Sequence, residues 1–252
     1  MRDTERGARA LVTVLGANPE GSAVAHRLHA AGYAVVLVDD VDPAWTRRGR
    51  AYTDAWYVGT CELAGTAAVF CASVRSIPSI VDRGRAIAAT TWSPRGIDDA
   101  LRPVALIDAR LADGRRALLL RDLAGGASTD VVAPIGEQAT APPDTLHAPT
   151  AGRFHTRHAI GDVVTAGEVV GSVGTAPLAT AAAGRLLGLA ARGARVRAGQ
   201  CLVEVDPRLD RAGCFGLERE AAVAAERIVT TLAQFQSGAG ACAGAIVAAA
   251  VP

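Results

Sequence analysis

The chain has 252 residues, half of them hydrophobic, with 26 basic against 25 acidic side chains and a formal net charge of +1. That is enough apolar chain for one large domain or two ordinary ones, and too even a balance for a field that draws in nucleic acid or an anionic membrane. All 26 basic residues are arginine, which excludes a P-loop lysine, a Schiff base, and a lysine carrying biotin or lipoate, because each needs a primary amine on a flexible stem.

Residues 1–9 are charged and lack the apolar run of a signal peptide. The five cysteines, at 61, 71, 201, 214 and 242, are odd in number and show no C-x-x-C spacing, so reduced thiols in a cytoplasmic protein are expected. Residues 11–15 form a short β-branched apolar run that stops at Gly16, and 22–31 follow with helical spacing of Ala23, Leu28 and Ala31. Gly32 ends that helix, and 34–38 give a second buried strand finishing on Asp39 and Asp40. Strand, helix, strand make a βαβ unit.

In dinucleotide-binding units of this type the first turn reads G-x-G-x-x-G, and an acid about 20 residues on holds the ribose. Here the turn is Gly16-Ala17-Asn18-Pro19-Glu20-Gly21. Asp39 is well placed, but Asn18 stands at the middle glycine and Glu20 adds negative charge where a pyrophosphate would sit. Gly16, Asn18, Gly21 and Asp39 are the candidate cofactor contacts of this crevice, with a structural βαβ unit as the alternative. Arg47 and Arg48 follow the second strand and could clamp a phosphate. Residues 67–72, 77–81 and 104–107 read as further strands and 94–101 as a helix, giving a mostly parallel sheet to about residue 135. Asp108 and Arg110 then fall at a strand's C-terminal end, the edge where open α/β sheets place ligands.

The rear half contains a repeat. An offset of 32 lays Ala151, Gly152, Arg153, Gly161, Val164, Ala166 and Gly167 on Ala183, Gly184, Arg185, Gly193, Val196, Ala198 and Gly199 without a gap. Two such β-rich half-units can bury their apolar faces only against each other. Gly161-Asp162-Val163-Val164-Thr165-Ala166-Gly167 resembles the turn-strand signature of biotinyl and lipoyl barrel-sandwich hybrids. Where those domains present their modified lysine, this chain has Gly174-Thr175-Ala176-Pro177, so no covalent biotin or lipoate is expected. The most apolar stretch, 238–251, is shorter than the roughly 20 residues of a bilayer span.

The fold expected is α/β: a Rossmann-like sheet domain over 1–144, an all-β barrel-sandwich hybrid over 145–208, and a C-terminal helix with an Ala/Gly-rich tail over 209–252. His26 and His29, and His155 and His158, are close enough to share an ion, but neither pair has a completing ligand at a familiar spacing, and no metal is expected.

The joined pattern of Gly16-Ala17, Val24-Ala25-His26-Arg27-Leu28-His29, Arg47-Arg48, Ile107-Asp108-Ala109-Arg110, the duplicated module, Val205-Asp206-Pro207-Arg208 and Cys214-Phe215 is similar to the accessory protein of selenium-dependent molybdenum hydroxylase systems. That resemblance implies a cytoplasmic maturation or assembly protein with no well-established reaction of its own. It further implies hydroxylase subunits or other proteins as partners, and a nucleotide or molybdopterin-type ligand. The chain departs from the family at Asn18-Pro19, at Asp113, and where a second glycine-rich loop gives way to Leu118-Leu119-Leu120. Two alternatives stay open: a nucleotide-binding oxidoreductase using the crevice, and a structural subunit, which could include further copies of this chain. Neither nucleic acid nor a membrane is an expected partner.

Overall fold

The computed structural model describes residues 9–110, 117–123, 130–134 and 144–237. Its front half is a mixed sheet of eight strands, β1 (Leu11–Leu15), β2 (Ala34–Val38), β3 (Thr60–Leu63), β4 (Thr66–Phe70), β5 (Ala86–Thr90), β6 (Ala105–Asp108), β7 (Ala117–Asp122) and β8 (Asp130–Pro134). Their spatial order is β3-β4-β5-β2-β1-β6-β7-β8. The five central strands from β4 to β6 are parallel, while β3, β7 and β8 pair antiparallel. The apolar runs LVTVL and AVVLV of β1 and β2 suit strands covered on both faces.

Helices cover both faces. On one lie α1 (Pro19–Ala30), α2 (Ala55–Val58) and α5 (Arg219–Gln236), whose Leu28, Ala55 and Ile228 share a core with Val12, Val35 and Ile107. On the other lie α3 (Ile77–Val81) and α4 (Pro94–Leu101), whose Ile77, Val81 and Ile97 pack on Leu15, Val36 and Ala88. The last helix therefore returns to the front half, tied there by Arg27–Glu226 at 3.1 Å and by Tyr33 Oη donating to Gln236 at 3.0 Å.

Two expectations change. Residues 77–81 are helical, because Ser76 and Pro78 start a helix whose Ile and Val then face the sheet. The strand next to β2 is instead the alanine-rich 86–90, which carries little β-branched signal. The sheet is also mixed rather than mostly parallel toward residue 135.

The rear half has two four-stranded antiparallel sheets over one core that holds Phe154, Val173, Leu186 and Val205. The strands are β9 (Asp144–His147), β10 (Gly152–His155), β11 (Val163–Val164), β12 (Val169–Val173), β13 (Ala176–Ala179), β14 (Gly184–Leu189), β15 (Arg195–Val196) and β16 (Cys201–Asp206). Each of the first four recurs 32 residues later, and the two sheets, β13-β12-β10-β15 and β9-β16-β14-β11, exchange under that shift. The hydrogen bonds repeat too: Phe154 N to Ala194 O at 3.0 Å matches Leu186 N to Asp162 O at 2.9 Å, and Arg153 to Gly193 O matches Arg185 to Gly161 O, both at 2.8 Å. Each half lends two strands, β9 and β11 from the first and β13 and β15 from the second, to the sheet built on the other's remaining pair, so neither half closes alone. No described helix is long and apolar enough to cross a membrane.

Candidate functional site

The connections leaving β1 and β2 pass over one face of the sheet and the one leaving β5 passes over the other, and ligands in open sheets bind at such a reversal. A cavity of about 450 Å³ opens there, lined among others by Asp39, Asp40, Trp45, Trp92, Ser93 and Arg110. Trp45 and Asp39 also border a second cavity of about 460 Å³, whose far wall is Arg195, Arg197 and Gln200 of the duplicated module.

The turn beneath the crevice explains its departures from a dinucleotide site. Gly16 has φ +99°, a left-handed conformation, and its N–H donates to Val38 O at 2.8 Å. Asn18 caps α1 by accepting from Gly21 N at 2.8 Å and donates through Nδ2 to Ala109 O at 2.8 Å, so it ties the first turn to the end of β6. A Cβ on Gly21 would overlap the Gly16 carbonyl oxygen, so the close helix–turn approach that a third glycine serves is kept. Several of the turn's anion-binding groups are used internally or missing. Pro19 has no N–H, Gly21 N–H goes to Asn18, and Ala17 N–H donates to Asp39 Oδ2 at 2.5 Å.

Asp39 also accepts from Trp45 Nε1 at 2.6 Å and, through Oδ1, from Asp40 N at 2.7 Å. A carboxylate offers about four lone-pair sites, so roughly one remains and a ribose diol could not place both hydroxyls. Burial pushes its carboxyl above the usual value, against the pull of these three donors. Arg110 grips Asp108 bidentately, Nε to Oδ1 at 2.9 Å and Nη2 to Oδ2 at 2.6 Å, and its guanidinium thereby carries its own counter-ion.

Arg47 and Arg48 lie elsewhere. Arg47 donates from Nε to Glu204 at 2.8 Å and from Nη1 to Glu218 at 3.1 Å. Arg48 Nε donates to Leu189 O at 2.8 Å and its Nη1 pairs with Asp54. Burial works against the charge of Arg47, yet Glu204 and Glu218 outweigh it and raise its pKa. The two arginines thus join the front half to the module.

Of the candidate residues, the fold brings Gly16, Asn18, Gly21, Asp39, Asp108 and Arg110 to one edge and carries Arg47 and Arg48 to the junction. Trp45 and Trp92 were not singled out from sequence. Trp92 follows a strand that the sequence did not reveal, and the short spacing from Asp39 to Trp45 was the available signal for the other. Among the described residues no three His, Cys, Asp or Glu converge as metal ligands. Cys214 is buried, and burial raises its thiol.

No family model and no curated protein matches this chain. Among solved structures, an ectoine utilization protein from Ruegeria pomeroyi, in its product-bound form, aligns over 79% of this chain and 86% of its own at 10% identity and a TM-score of 0.26. A succinylglutamate desuccinylase/aspartoacylase from Rhodobacter sphaeroides aligns over 79% and 86% at 13% identity and a TM-score of 0.24. An aspartoacylase family protein from Mesorhizobium loti aligns over 81% and 86% at 13% identity and a TM-score of 0.26. Superpositions this loose assign the chain neither a fold family nor an activity.

Proposed function

We propose that this is a non-catalytic accessory protein of a molybdenum hydroxylase system, with a Rossmann-like front domain whose crevice holds the ring of a nucleotide or molybdopterin-type ligand. The rear module is read as a barrel-sandwich hybrid that serves as a rigid docking body in place of a swinging arm. The observation that carries the ligand reading is the crevice of about 450 Å³ between Trp45 and Trp92 at the sheet's reversal.

The donor set favours a ring over a pyrophosphate. Indoles offer stacking surface, and Asp40 offers a carboxylate that could accept from an amino-substituted ring edge. The Ala17 and Gly21 amides and Arg110 are already engaged, which works against a dinucleotide-dependent oxidoreductase. The link to hydroxylases is supported by the order of motifs in the sequence.

The test is thermal unfolding and tryptophan fluorescence of the full chain with CTP, NAD(H), NADP(H), a free pterin and a molybdopterin dinucleotide. A ligand near one hundred times its dissociation constant stabilises by about 2.7 kcal/mol. Stabilisation by a pterin-bearing ligand, lost in Trp92→Ala, supports the reading; no shift with any of the five refutes the ligand. Failure to co-purify with a molybdenum hydroxylase encoded beside it refutes the system.

A structural subunit is the second reading, favoured by the buried Arg47–Glu204 and Arg47–Glu218 pairs that lock module to sheet. It requires a larger assembly, which the particle mass in native extracts reports.

A further inference from the structure

The two halves of the rear module are related residue by residue, yet their equivalent surfaces meet different surroundings. On the second half, the segment from Thr46 to Gly49 of the front domain runs along a groove. Leu189 N donates to Thr46 O at 2.7 Å, Arg48 Nε donates back to Leu189 O at 2.8 Å, and a Cβ on Gly188 would already lie 3.0 Å from Thr46 Cβ. Glu204, on the groove wall, takes the Thr46 hydroxyl and Arg47 Nε. Ile160, which the first half contributes, backs the segment at Gly49, where an added Cβ would stand 3.2 Å from its Cγ2.

Subtracting or adding 32 carries that groove onto the other half. Gly188 and Leu189 become Thr156 and Arg157, Ala190 becomes His158, Glu204 becomes Ser172, and Ile160 becomes Arg192. These residues line a cavity of about 410 Å³ that no described segment of the chain fills. The guanidinium groups of Arg157 and Arg192 are both exposed and make no hydrogen bond or ion pair among the described residues. His158, on the same lining, has two acids near its ring, Asp162 at 3.8 Å from Nδ1 and Glu168 at 3.7 Å from Nε2.

The polarity of the groove is therefore inverted between the copies. The filled one is acidic at Glu204 and receives a cationic segment, whereas the open one has lost that acid and gained two arginines. We propose that the open groove is a docking site for a peptide segment carrying carboxylates, supplied by a partner protein. The filled groove supplies the template: a bent segment that enters a short 3-10 turn at Arg48, held by a main-chain hydrogen bond, with side-chain charge opposite to the wall. A second copy of this chain presenting its own Thr46–Gly49 segment is disfavoured, because Arg47 and Arg48 would face Arg157 and Arg192. The inference does not depend on what the crevice at the sheet edge holds.

The experiment uses the full chain and two fluorescein-labelled decapeptides, one alternating Glu with Val and the other alternating Arg with Val, read by fluorescence anisotropy at low and moderate salt. The acidic peptide should bind, the basic one should not, and the double variant R157E/R192E should weaken binding roughly tenfold or more. The charge-matched control R75E/R83E, at exposed positions outside the module, should stay within about twofold of wild type. Equal loss in both double variants, or no binding of the acidic peptide at millimolar concentration, overturns the proposal. So does displacement of the peptide by equimolar inorganic phosphate, which would mark a small-anion site only.

Discussion

Replacing Arg47 by Met removes a charge while keeping much of the side chain's apolar bulk, so it isolates the ionic part of the junction. Arg47 is only 16% exposed and lies between Glu204 at 10% and Glu218 at 3%. Breaking a buried pair by deleting one partner costs about 3–5 kcal/mol, because the other charge is left without compensation. Two contacts persist and argue for the lower end: Thr46 still donates to Glu204, and Arg50 still reaches Glu218 at 3.6 Å. A loss near 3 kcal/mol lowers the midpoint of a chain this size by roughly 6 to 12 °C. Calorimetry and urea unfolding read it directly, and adding Glu204→Gln should recover part of the loss, since the two residues share one interaction. A loss under about 1 kcal/mol would mean that the guanidinium is screened by water and that the junction is held by other contacts. That result would reopen Arg47 as a phosphate ligand.

Asn18→Ala should cost about 1–2 kcal/mol, since it removes the cap of α1 and leaves Ala109 O without its donor; circular-dichroism melts measure it, and no loss would refute the capping role. Gly21→Ala should fail to accumulate as folded protein, because its Cβ overlaps the Gly16 carbonyl and backbone must move; a normally folded variant would contradict the turn geometry. Burial pushes the thiols of Cys61 and Cys201 up to about 11. At pH 8 that leaves about one thiolate per thousand, so both should alkylate slowly in the native state and rapidly in urea, as peptide mapping by mass spectrometry would record. His29 titrates below its ordinary value of 6.5, through burial first and the nearby Arg9 second. A histidine with a depressed folded value binds its proton less readily folded than unfolded, so its contribution is intact above 6.5 and falls away as pH drops through the folded value. His29→Gln should therefore lose less stability than wild type between pH 6.5 and 5; identical acid curves would dismiss the effect.

The first βαβ unit was legible because its signals are local. Runs of β-branched residues, Gly32 at a helix end and acids at a strand end each act within a few residues, and the structure places β1, α1 and β2 where they predict. Helix 94–101 was equally plain, with Ser93 as its cap. The segment 77–81 misled because Ile and Val report burial against a sheet, which a short helix achieves as well as a strand. Asp113, the apolar stretch 238–251 and Cys242 lie outside the described residues.

Composition, the absence of lysine and the 32-residue repeat belong to the sequence alone, because they need no neighbours to be read. The repeat announced two β-rich halves packed on each other, since equal sequences at a constant offset adopt equal local structure, but which strands they exchange came from the tertiary structure. What the sequence could not decide is where a charged side chain finds its partner. Arg47 reads as a phosphate clamp beside β2 until Glu204 and Glu218, 157 and 171 residues away, are folded against it. Asp39 reads as a ribose acid until Ala17 and Trp45 take its oxygens. Burial and hydrogen bonding are set by contacts distant in the chain, so local patterning gave the candidate residues and tertiary packing gave their roles.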